Sequence, residues 1–200
     1  MRTAVVLALA LLMWTGFGVA GDVTVTYYGH SCFMIQAEGG PAIMIDPYGS
    51  YVPYPGLPAE ADIVLITHPH IDHCPPCYGE YGRVQGEPGI FLAWDLNTGE
   101  VKEGDWKITD ELSVRIVEVS RVNARGGGEG RVGVFRFEID DIVFAHLGDL
   151  GKILEGPQMA ALSDVEVLFV PVGRQFTLDA AEAMTVIAQL PDVRVVFPMH

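Results

Sequence analysis

The segment ADIVLITHPHIDHCPPC, residues 61–77, joins a run of apolar residues to a run of potential metal ligands. Residues 62–67, DIVLIT, are apolar and β-branched, which predicts a strand buried on both faces in the middle of a layered fold. Three histidines and an aspartate then fall within six residues, at the point where that strand must end. Because rigid strands position chemical groups that the following loops leave accessible, the segment predicts a functional site at a strand end.

The spacing of these four side chains favours metal binding. Residues at i and i+2 of an extended segment point to the same side, so His68 and His70 can hold one ion together. Asp72 and His73 follow where the chain turns and can point at a second ion. Imidazole and carboxylate groups are the ligands of Zn²⁺ and its borderline neighbours. Only 6 of the 200 residues are histidine, which disfavours a chance cluster of solvated histidines.

The rest of the chain predicts strands first and helices later. Strands are predicted for VTVTYY (23–28), CFMIQA (32–37), AIMID (42–46), IFLAW (90–94), VFRFEI (134–139), IVFAH (142–146), VEVLFVPVG (165–173) and VRVVFPMH (193–200). Asp140 and Asp141 predict a hairpin turn. Helices are predicted near 158–162 and over 178–190, the second with Thr177 as its N-cap. This order favours an α/β (α+β) fold of two mixed β-sheets packed together with helices outside.

Residues 1–20 have the pattern of a secretory signal peptide. Arg2 supplies the charged start, the apolar run after it is too short to span a bilayer, and residues 18–20 form a small-residue cleavage site. An uncleaved anchor is the alternative, which Gly16 and Gly18 disfavour because they interrupt the helix near the cleavage point. The sequence therefore predicts a signal peptide over residues 1–20, one domain over 21–200, and an exported protein, periplasmic or secreted.

The chain is strongly acidic, with 26 Asp and Glu residues against 12 Lys and Arg residues and a formal net charge of −14 at pH 7. Such a surface repels phosphate backbones and anionic lipids, and no basic cluster offsets it. We therefore expect a divalent cation and a small-molecule substrate as partners, no nucleic acid, and no stable membrane span after signal cleavage. The oligomeric state stays open.

Several segments resemble the metallo-β-lactamase superfamily. THPHIDH resembles its H-x-H-x-D-H signature, TYYGHSCF and IMIDPY resemble its opening strands, FAHLGDLG resembles the segment with the metal-bridging aspartate, and VVFPMH resembles the segment with the last histidine. The resemblance covers residues 23–200. GHSCF and HLGDLG are similar to the branch that includes ascorbate-6-phosphate lactonase and N-acylphosphatidylethanolamine phospholipase D.

The resemblance implies a four-layer αββα sandwich with the site along one edge between the sheets. It implies Zn²⁺ as cofactor, one or two ions, with Mn²⁺ or Fe²⁺ as alternatives. It implies a metal-dependent hydrolase domain in which a metal-bound hydroxide attacks an ester, lactone, amide or phosphodiester and Asp72 orients the water and moves a proton. The implied ligands are His68 and His70 for the first metal, Asp72, His73 and His200 for the second, and Asp149 as the bridge between them.

One feature departs from the family. A further histidine, the third ligand of the first metal, is expected before the glycine-rich loop, but the sequence there is VSRVNARGGG, with Arg121, Val122 and Asn123. We therefore expect a weakened or empty first site and an occupied second site. The same departure supports an alternative function, a catalytically impaired metal-binding or sensing protein on this scaffold. His200, the last residue, requires a metal or a following segment to hold the end of its strand.

Other polar residues near these motifs have open roles. His30 either lines the pocket or forms hydrogen bonds at the strand end. Asp46 either orients a metal-bound histidine from behind or caps a turn, and His146 is expected behind the ligands or in the core. The run at 126–128 is expected to be a mobile flap or a linker.

The three cysteines allow several interpretations. Cys74 and Cys77 can form a disulfide, as export favours, or remain thiols with a redox or packing role. A thiolate can also replace the missing histidine as a metal ligand. Cys32 lies in an apolar run and is expected to be a small core residue.

Overall fold

The computed structural model describes residues 22–57, 60–80, 84–122 and 129–200. The predicted signal peptide at residues 1–20, Asn123 and the glycine run at 126–128 lie outside these ranges. The described residues form thirteen strands, two α-helices and one 3-10 helix. Their bounds are β1 (Val23–Gly29), β2 (Cys32–Ala37), β3 (Ile43–Ile45), β4 (Ile63–Ile66), the 3-10 helix (Pro75–Tyr78), β5 (Gly89–Leu92), β6 (Trp94–Asp95), β7 (Glu100–Val101), β8 (Gly104–Lys107), β9 (Ser113–Val122), β10 (Glu129–Ile139), β11 (Ile142–His146), α1 (Gly156–Ala161), β12 (Val167–Pro171), α2 (Ala180–Gln189) and β13 (Val195–Met199).

The strands form two mixed sheets and a small hairpin. The first sheet has the order β1-β2-β3-β4-β5, and the second has the order β13-β12-β11-β10-β9-β8, while β6 pairs with β7. In the first sheet β3, β4 and β5 run parallel, and in the second β11, β12 and β13 run parallel, while the remaining neighbours are antiparallel. The predicted fold class of two mixed sheets is confirmed.

The main core lies between the two sheets. Side chains alternate along each strand, so Phe33 on β2 faces the opposite sheet while its neighbour Cys32 faces outward. Phe33 meets Phe169 of β12 with ring centroids 4.5 Å apart. Full burial of such a side chain stabilises the fold by roughly 1.5–3 kcal/mol. The alternation along each strand therefore determines which side chains pack in the core between the two sheets.

The two outer faces are covered differently. On the second sheet, Leu168 and Val170 pack with Val186 and Leu190 from the α2 segment, as the prediction of outer helices requires. On the first sheet, Met44 packs with loop residues and with Cys74, which precedes the 3-10 helix. Among the described residues this face carries no α-helix. The prolines and glycines of residues 75–90 explain this, because they favour turns over a continuous helix.

Two local predictions have different outcomes. The hairpin about Asp140 and Asp141 is confirmed, since β10 and β11 pair on either side and both aspartates have positive φ. Thr177 as N-cap of the second helix is wrong, because α2 begins later and Asp179 caps it. The Asp179 carboxylate accepts from the backbone N–H groups of Ala181 and Glu182, each at 2.9 Å, which satisfies donors that a hydroxyl two residues earlier cannot reach.

None of the helices in the described ranges is long and apolar enough to cross a membrane.

The strand ends carry the predicted site residues to one edge of the sandwich. The chain leaves β1 into His30, β3 into Asp46 and β4 into the segment 67–73, while β11 leads to Asp149 and β13 to His200. Carboxyl ends of parallel strands meet at the same edge of a sheet, so these residues converge although they are far apart in the chain.

Candidate metal centre

Asp149 lies at the centre of the site and presents its two carboxylate oxygens to different neighbours. Its Oδ1 is 3.1 Å from His73 Nε2 and 3.2 Å from His200 Nε2. Its Oδ2 is 3.4 Å from His68 Nε2 and 3.0 Å from Arg121 Nε. Asp149 is 1% exposed, so both oxygens depend on these neighbours rather than on water. The carboxylate predicted to bridge two metals therefore does lie between two groups of ligands.

The turn that carries Asp149 is held from several sides. Gly148 has a φ of +51°, and a Cβ on it would lie 2.7 Å from Val132 Cγ1 and 2.9 Å from Thr67 Oγ1. Glycine avoids both the strained backbone and these collisions. The turn also donates from the backbone N–H of Gly151 to the carbonyl of Ser120, at 2.9 Å. Asp149 is thus fixed against the two strands β9 and β10.

The second position is the pocket on the Oδ1 side of Asp149. It contains one ligand atom from each of His30, Asp72, His73 and His200, all within 4.8 Å of one another. His30 Nε2 is 3.3 Å from Asp72 Oδ2, and its ring centroid is 4.4 Å from that of His200. His30 is therefore in the pocket, which is one of the two roles left open for it. The predicted group of Asp72, His73 and His200 gains a fourth side chain.

The second position has the chemistry that a divalent metal requires. Four of its buried ligand atoms form no well-directed hydrogen bond with any described residue, and they are His30 Nε2, His73 Nε2, His200 Nε2 and Asp149 Oδ1. Two atoms each about 2.1 Å from one ion in tetrahedral geometry lie roughly 3.4 Å apart, close to the separations found around Asp149 Oδ1. Buried polar atoms without partners are costly, which a bound cation would relieve. The residues present therefore fit a metal ion at the second position.

Asp46 fixes the imidazoles that face this pocket. Its Oδ2 accepts from His73 Nδ1 at 2.9 Å and from Thr67 Oγ1 at 2.6 Å, and its Oδ1 accepts from the backbone N–H of Thr67 at 2.7 Å. Because the Thr67 hydroxyl donates to Asp46, it accepts from His68 Nδ1, 3.0 Å away. Both His73 and His68 thus carry a proton on Nδ1 and direct Nε2 into the site. Asp46 therefore orients two histidines from behind, which is one of the two roles left open for it.

The charges of the site act on one another strongly. Burial acts to lower the pKa of His73, but Asp149 and Asp46 on either side raise it well above its ordinary value. Burial acts to raise the pKa of Asp149, but His73 and His68 hold it well below its ordinary value. Burial, with His68 and Arg121, lowers the pKa of His70 to about 4. At neutral pH Asp149 is therefore a carboxylate and His70 a neutral imidazole, whose lone pair can accept a hydrogen bond.

The first position is the pocket on the Oδ2 side of Asp149. His68, His70 and Asp149 each have one ligand atom there, and these three atoms lie within 4.8 Å of one another. Arg121 is also present there, with Nε 3.0 Å from Asp149 Oδ2 and Nη1 3.0 Å from His70 Nε2. Arg121 stands where the sequence pattern leads one to expect the third histidine, and its side chain reaches into the pocket formed by His68 and His70. The residues present do not fit a metal ion at the first position.

His146 lies away from both positions. It is buried, its Nε2 donates to the carbonyl of Ser31 at 2.9 Å, and its Nδ1 accepts from the backbone N–H of Gly148 at 3.3 Å. Both ring nitrogens are occupied, so His146 supports the fold behind the ligands rather than offering a lone pair. This agrees with its predicted place behind the ligands or in the core.

Cys74 and Cys77 are joined by a disulfide, one of the three arrangements that the sequence left open. The bond closes the 3-10 turn that follows His73, and none of the ligand groups among the described residues includes a cysteine. Cys32 is fully buried in the outer core of the first sheet, as expected.

Sequence reasoning missed the position of two side chains. The sequence motifs assign Arg121 no role beyond standing where a histidine is expected, although a cationic residue near the end of a buried strand is itself a signal. Thr67, which links Asp46 to His68, carried no signal beyond its place in the motif.

Comparison with known proteins identifies the family of this chain. The family model described as a beta-lactamase superfamily domain matches residues 24–200. A UPF0173 metal-dependent hydrolase of Pyrococcus horikoshii is 30% identical over 89% of this chain and 84% of its own length. Another, of Methanosphaera stadtmanae, is 28% identical over 88% of this chain and 82% of its own.

Solved structures show the same fold. A metallo-β-lactamase superfamily protein of Thermotoga maritima is 28% identical, with a TM-score of 0.65 over 90% of this chain and 76% of that one. The metallo hydrolase Igni18 of Ignicoccus hospitalis has a TM-score of 0.67 at 23% identity, over 89% of this chain and 82% of its own. The narrower branch inferred from GHSCF and HLGDLG stays a prediction. By the match of the family model, this chain belongs to the metallo-β-lactamase superfamily.

Proposed function

We propose that this metal-dependent hydrolase cleaves an ester, lactone, amide or phosphodiester bond of a small molecule, with a divalent ion held at the second position. Zn²⁺ is the first choice because imidazole and carboxylate are its ligands, and Mn²⁺ or Fe²⁺ are alternatives. The observation that carries the proposal is that the buried His73 Nε2 and His200 Nε2 lie 3.1 and 3.2 Å from Asp149 Oδ1, while none of these three atoms forms a well-directed hydrogen bond with the described residues.

A divalent ion bound there supplies Lewis acidity and lowers the pKa of a water molecule to roughly 7. The chain's own contribution centres on Asp72, whose side chain is 34% exposed and therefore reachable by solvent and substrate. Burial acts to raise the pKa of Asp72, but His30 and His73 lower it below its ordinary range. An ionised Asp72 orients the attacking water by accepting its hydrogen bond. Its low proton affinity favours passing the proton on to the leaving group over keeping it.

His30 and Asp46 keep these groups in place from two directions. His30 Nε2 contacts Asp72 Oδ2, which limits the rotation of the exposed carboxylate. Asp46 holds the His73 ring so that Nε2 points at the pocket. Fixed donors and acceptors of this kind need no reorganisation during the reaction, which is a major source of rate enhancement.

The experiment compares the purified protein before and after removal of its metal. Activity is measured on a p-nitrophenyl ester, a lactone, an anilide and bis-p-nitrophenyl phosphate, and the metal content of each sample is measured in parallel. We expect chelation to abolish turnover of at least one substrate and added Zn²⁺, Mn²⁺ or Fe²⁺ to restore it. Undiminished turnover by protein shown to be metal-free would contradict the proposal.

The same experiment separates the alternative function. Tight metal binding without turnover of any of the four substrates would favour a catalytically impaired metal-binding or sensing protein. The departure at Arg121 is the observation that favours this alternative.

We further propose that the protein is exported, periplasmic or secreted. Support comes from the signal-peptide pattern of residues 1–20 and from the Cys74–Cys77 disulfide, since such bonds persist in oxidising compartments. N-terminal sequencing of the protein from fractionated cells tests this. A mature start near Gly21 in the exported fraction is expected, and an intact Met1 in the cytoplasmic fraction would contradict it.

A further inference from the structure

Arg121 brings a permanent positive charge into the first position. It lies near the end of β9 with its side chain 11% exposed, and its guanidinium makes two contacts with the site. Nε donates to Asp149 Oδ2 and Nη1 donates to His70 Nε2, both at 3.0 Å. A guanidinium stays protonated under all conditions in which proteins fold. The charge is therefore part of the chain and independent of any ion in solution.

These two contacts use the atoms that a metal ion would need. An ion at the first position would lie about 2.1 Å from His70 Nε2 and from Asp149 Oδ2. The guanidinium already bridges those two atoms, so the ion and Arg121 would overlap. Like charges at such separations also repel strongly in a buried site. With His70 and one oxygen of Asp149 taken, His68 Nε2 is the one ligand atom of this position left without a partner among the described residues, and a single nitrogen is too few ligands for a tight site.

The shape of arginine suits this place better than that of other cations. Its planar group offers donors in a fixed fork, so one residue can reach a carboxylate and an imidazole together. Its Cζ atom also lies 5.7 Å from the centre of the Phe176 ring, which adds a cation–π contact on one face. The position of the charge is thus fixed by contacts in three directions.

The charge of the site favours a single ion. Asp149 is buried between the two positions, Asp72 is partly buried beside the second, and Asp46 is buried directly behind His73, so three carboxylates act on the same small volume. One guanidinium and one divalent ion together neutralise three negative charges. A second divalent ion beside Arg121 would leave excess positive charge in a site sheltered from solvent, which is costly.

We propose that the guanidinium of Arg121 takes the place of the first metal ion, so that the protein binds one divalent ion, at the second position. The proposal rests on the proposed function only in requiring that the second position binds an ion. It goes beyond the absence of a third histidine, because it assigns the vacant place to a named side chain.

Metal stoichiometry tests this without reference to activity. The full chain is stripped with a chelator, titrated with Zn²⁺ by calorimetry, dialysed, and analysed for zinc by mass spectrometry. Three proteins are compared: wild type, Arg121→His, which removes the cation and supplies the expected imidazole, and Arg115→His. Arg115 lies on the same strand with its side chain 44% exposed, so this variant controls for zinc bound by any added histidine.

We expect one equivalent of tightly bound zinc in the wild type and in Arg115→His, and two in Arg121→His. Two equivalents in the wild type would overturn the proposal while leaving the hydrolase function intact. One equivalent in Arg121→His, with a circular dichroism spectrum like that of wild type, would also overturn it. No bound zinc in the wild type would contradict the proposed function itself. If Arg121→His does not fold, the wild-type stoichiometry decides.

Discussion

The two sides of Asp149 solve the same electrostatic problem in different ways. On the Oδ2 side, the guanidinium of Arg121 supplies a positive charge and hydrogen bonds. On the Oδ1 side, His73 Nε2 and His200 Nε2 approach closely, yet they and Oδ1 form no well-directed hydrogen bond within the described part of the chain. On the first side the chain itself supplies the cation beside Asp149, whereas the second side requires a cation from solution.

This difference shows what a bridging carboxylate requires. A buried carboxylate that lacks a positive partner is strongly destabilising, so each oxygen needs a cation or strong donors beside it. A scaffold can meet that need with a metal ion or with a side chain.

Replacement of the shared residue should disrupt both sides. In Asp149→Asn the amide keeps the shape but loses the charge that faces both Arg121 and the ion. We expect zinc affinity to fall by more than about 100-fold, because even partners behind the ligands are worth roughly 10–100-fold. We also expect the free energy of unfolding to fall by roughly 3–5 kcal/mol, since Arg121 loses its buried partner. Calorimetry and urea unfolding measure the two effects.

Asp110→Asn is the matched control, because the Asp110 side chain is 96% exposed. It should change neither quantity measurably. Retention of zinc by Asp149→Asn at wild-type affinity would show that this carboxylate does not ligate the ion.

Weakening the support behind the second position should have a smaller effect. In Asp46→Asn, His73 Nδ1 faces an amide instead of a carboxylate and is held less firmly. We expect zinc affinity to fall by about 10–100-fold, with the stoichiometry still at one. Competition with a chelator of known affinity measures this. Asp62→Asn is the control, since Asp62 accepts from the backbone N–H of Ala42 at the other end of β4. An affinity equal in Asp46→Asn and Asp62→Asn would contradict a role for Asp46 in holding the ligand.

Changing the buried histidine outside the site should affect stability and leave the ion in place. His146→Phe fills a similar volume but leaves the carbonyl of Ser31 without a donor, which costs about 1–3 kcal/mol. Zinc content should stay at one equivalent. Loss of zinc in a folded His146→Phe would instead indicate that His146 contributes to the site.

The same variant has a pH dependence with a definite sign. Burial lowers the pKa of His146, so the folded state binds its proton less readily than the unfolded state does. The contribution of His146 to the free energy of unfolding is therefore lost as the pH falls below about 6.5, the ordinary pKa of histidine. Without metal, the free energy of unfolding of the wild type should exceed that of His146→Phe by less and less as the pH falls from about 8 to about 5. A difference that is constant over this range would show that His146 takes up a proton equally in both states.

The smallest effect is expected far from the site. Asp179→Ala removes the N-cap of α2 and should lower stability by about 1 kcal/mol, with zinc affinity unchanged. Asp192→Ala, an exposed residue beyond the helix, is the control. Equal urea midpoints for the two variants would contradict the capping role.

Most of the fold followed from patterns that local physics enforces. The apolar run at 62–67 and the alternating pattern at 134–146 both predict strands that the structure contains. They do so because the backbone of a strand sets the two-residue period at which side chains alternate between its faces. The end of each strand then determined where His30, Asp149 and His200 meet. The cap of α2 did not follow, since Thr177 and Asp179 are both good caps and only the path of the chain selects between them.

The sequence motifs predict the ligand residues of the site better than they predict the arrangement of its charges. The motifs named the residues that the structure brings together around Asp149. They did not show that Arg121 would point inward, because the direction of a side chain near a strand end depends on register and on the charges it meets. A cation in place of an expected ligand is a pattern that sequence reasoning can look for elsewhere.

The most direct measurement is a crystal structure of the zinc-loaded wild-type protein, with anomalous data collected at the zinc edge. We predict one peak, about 2.0–2.2 Å from His73 Nε2, His200 Nε2 and Asp149 Oδ1. Arg121 should still contact Asp149 Oδ2 and His70 in that structure. A peak between His68 and His70, with Arg121 displaced, would contradict the account, and so would the absence of a peak beside Asp149 Oδ1.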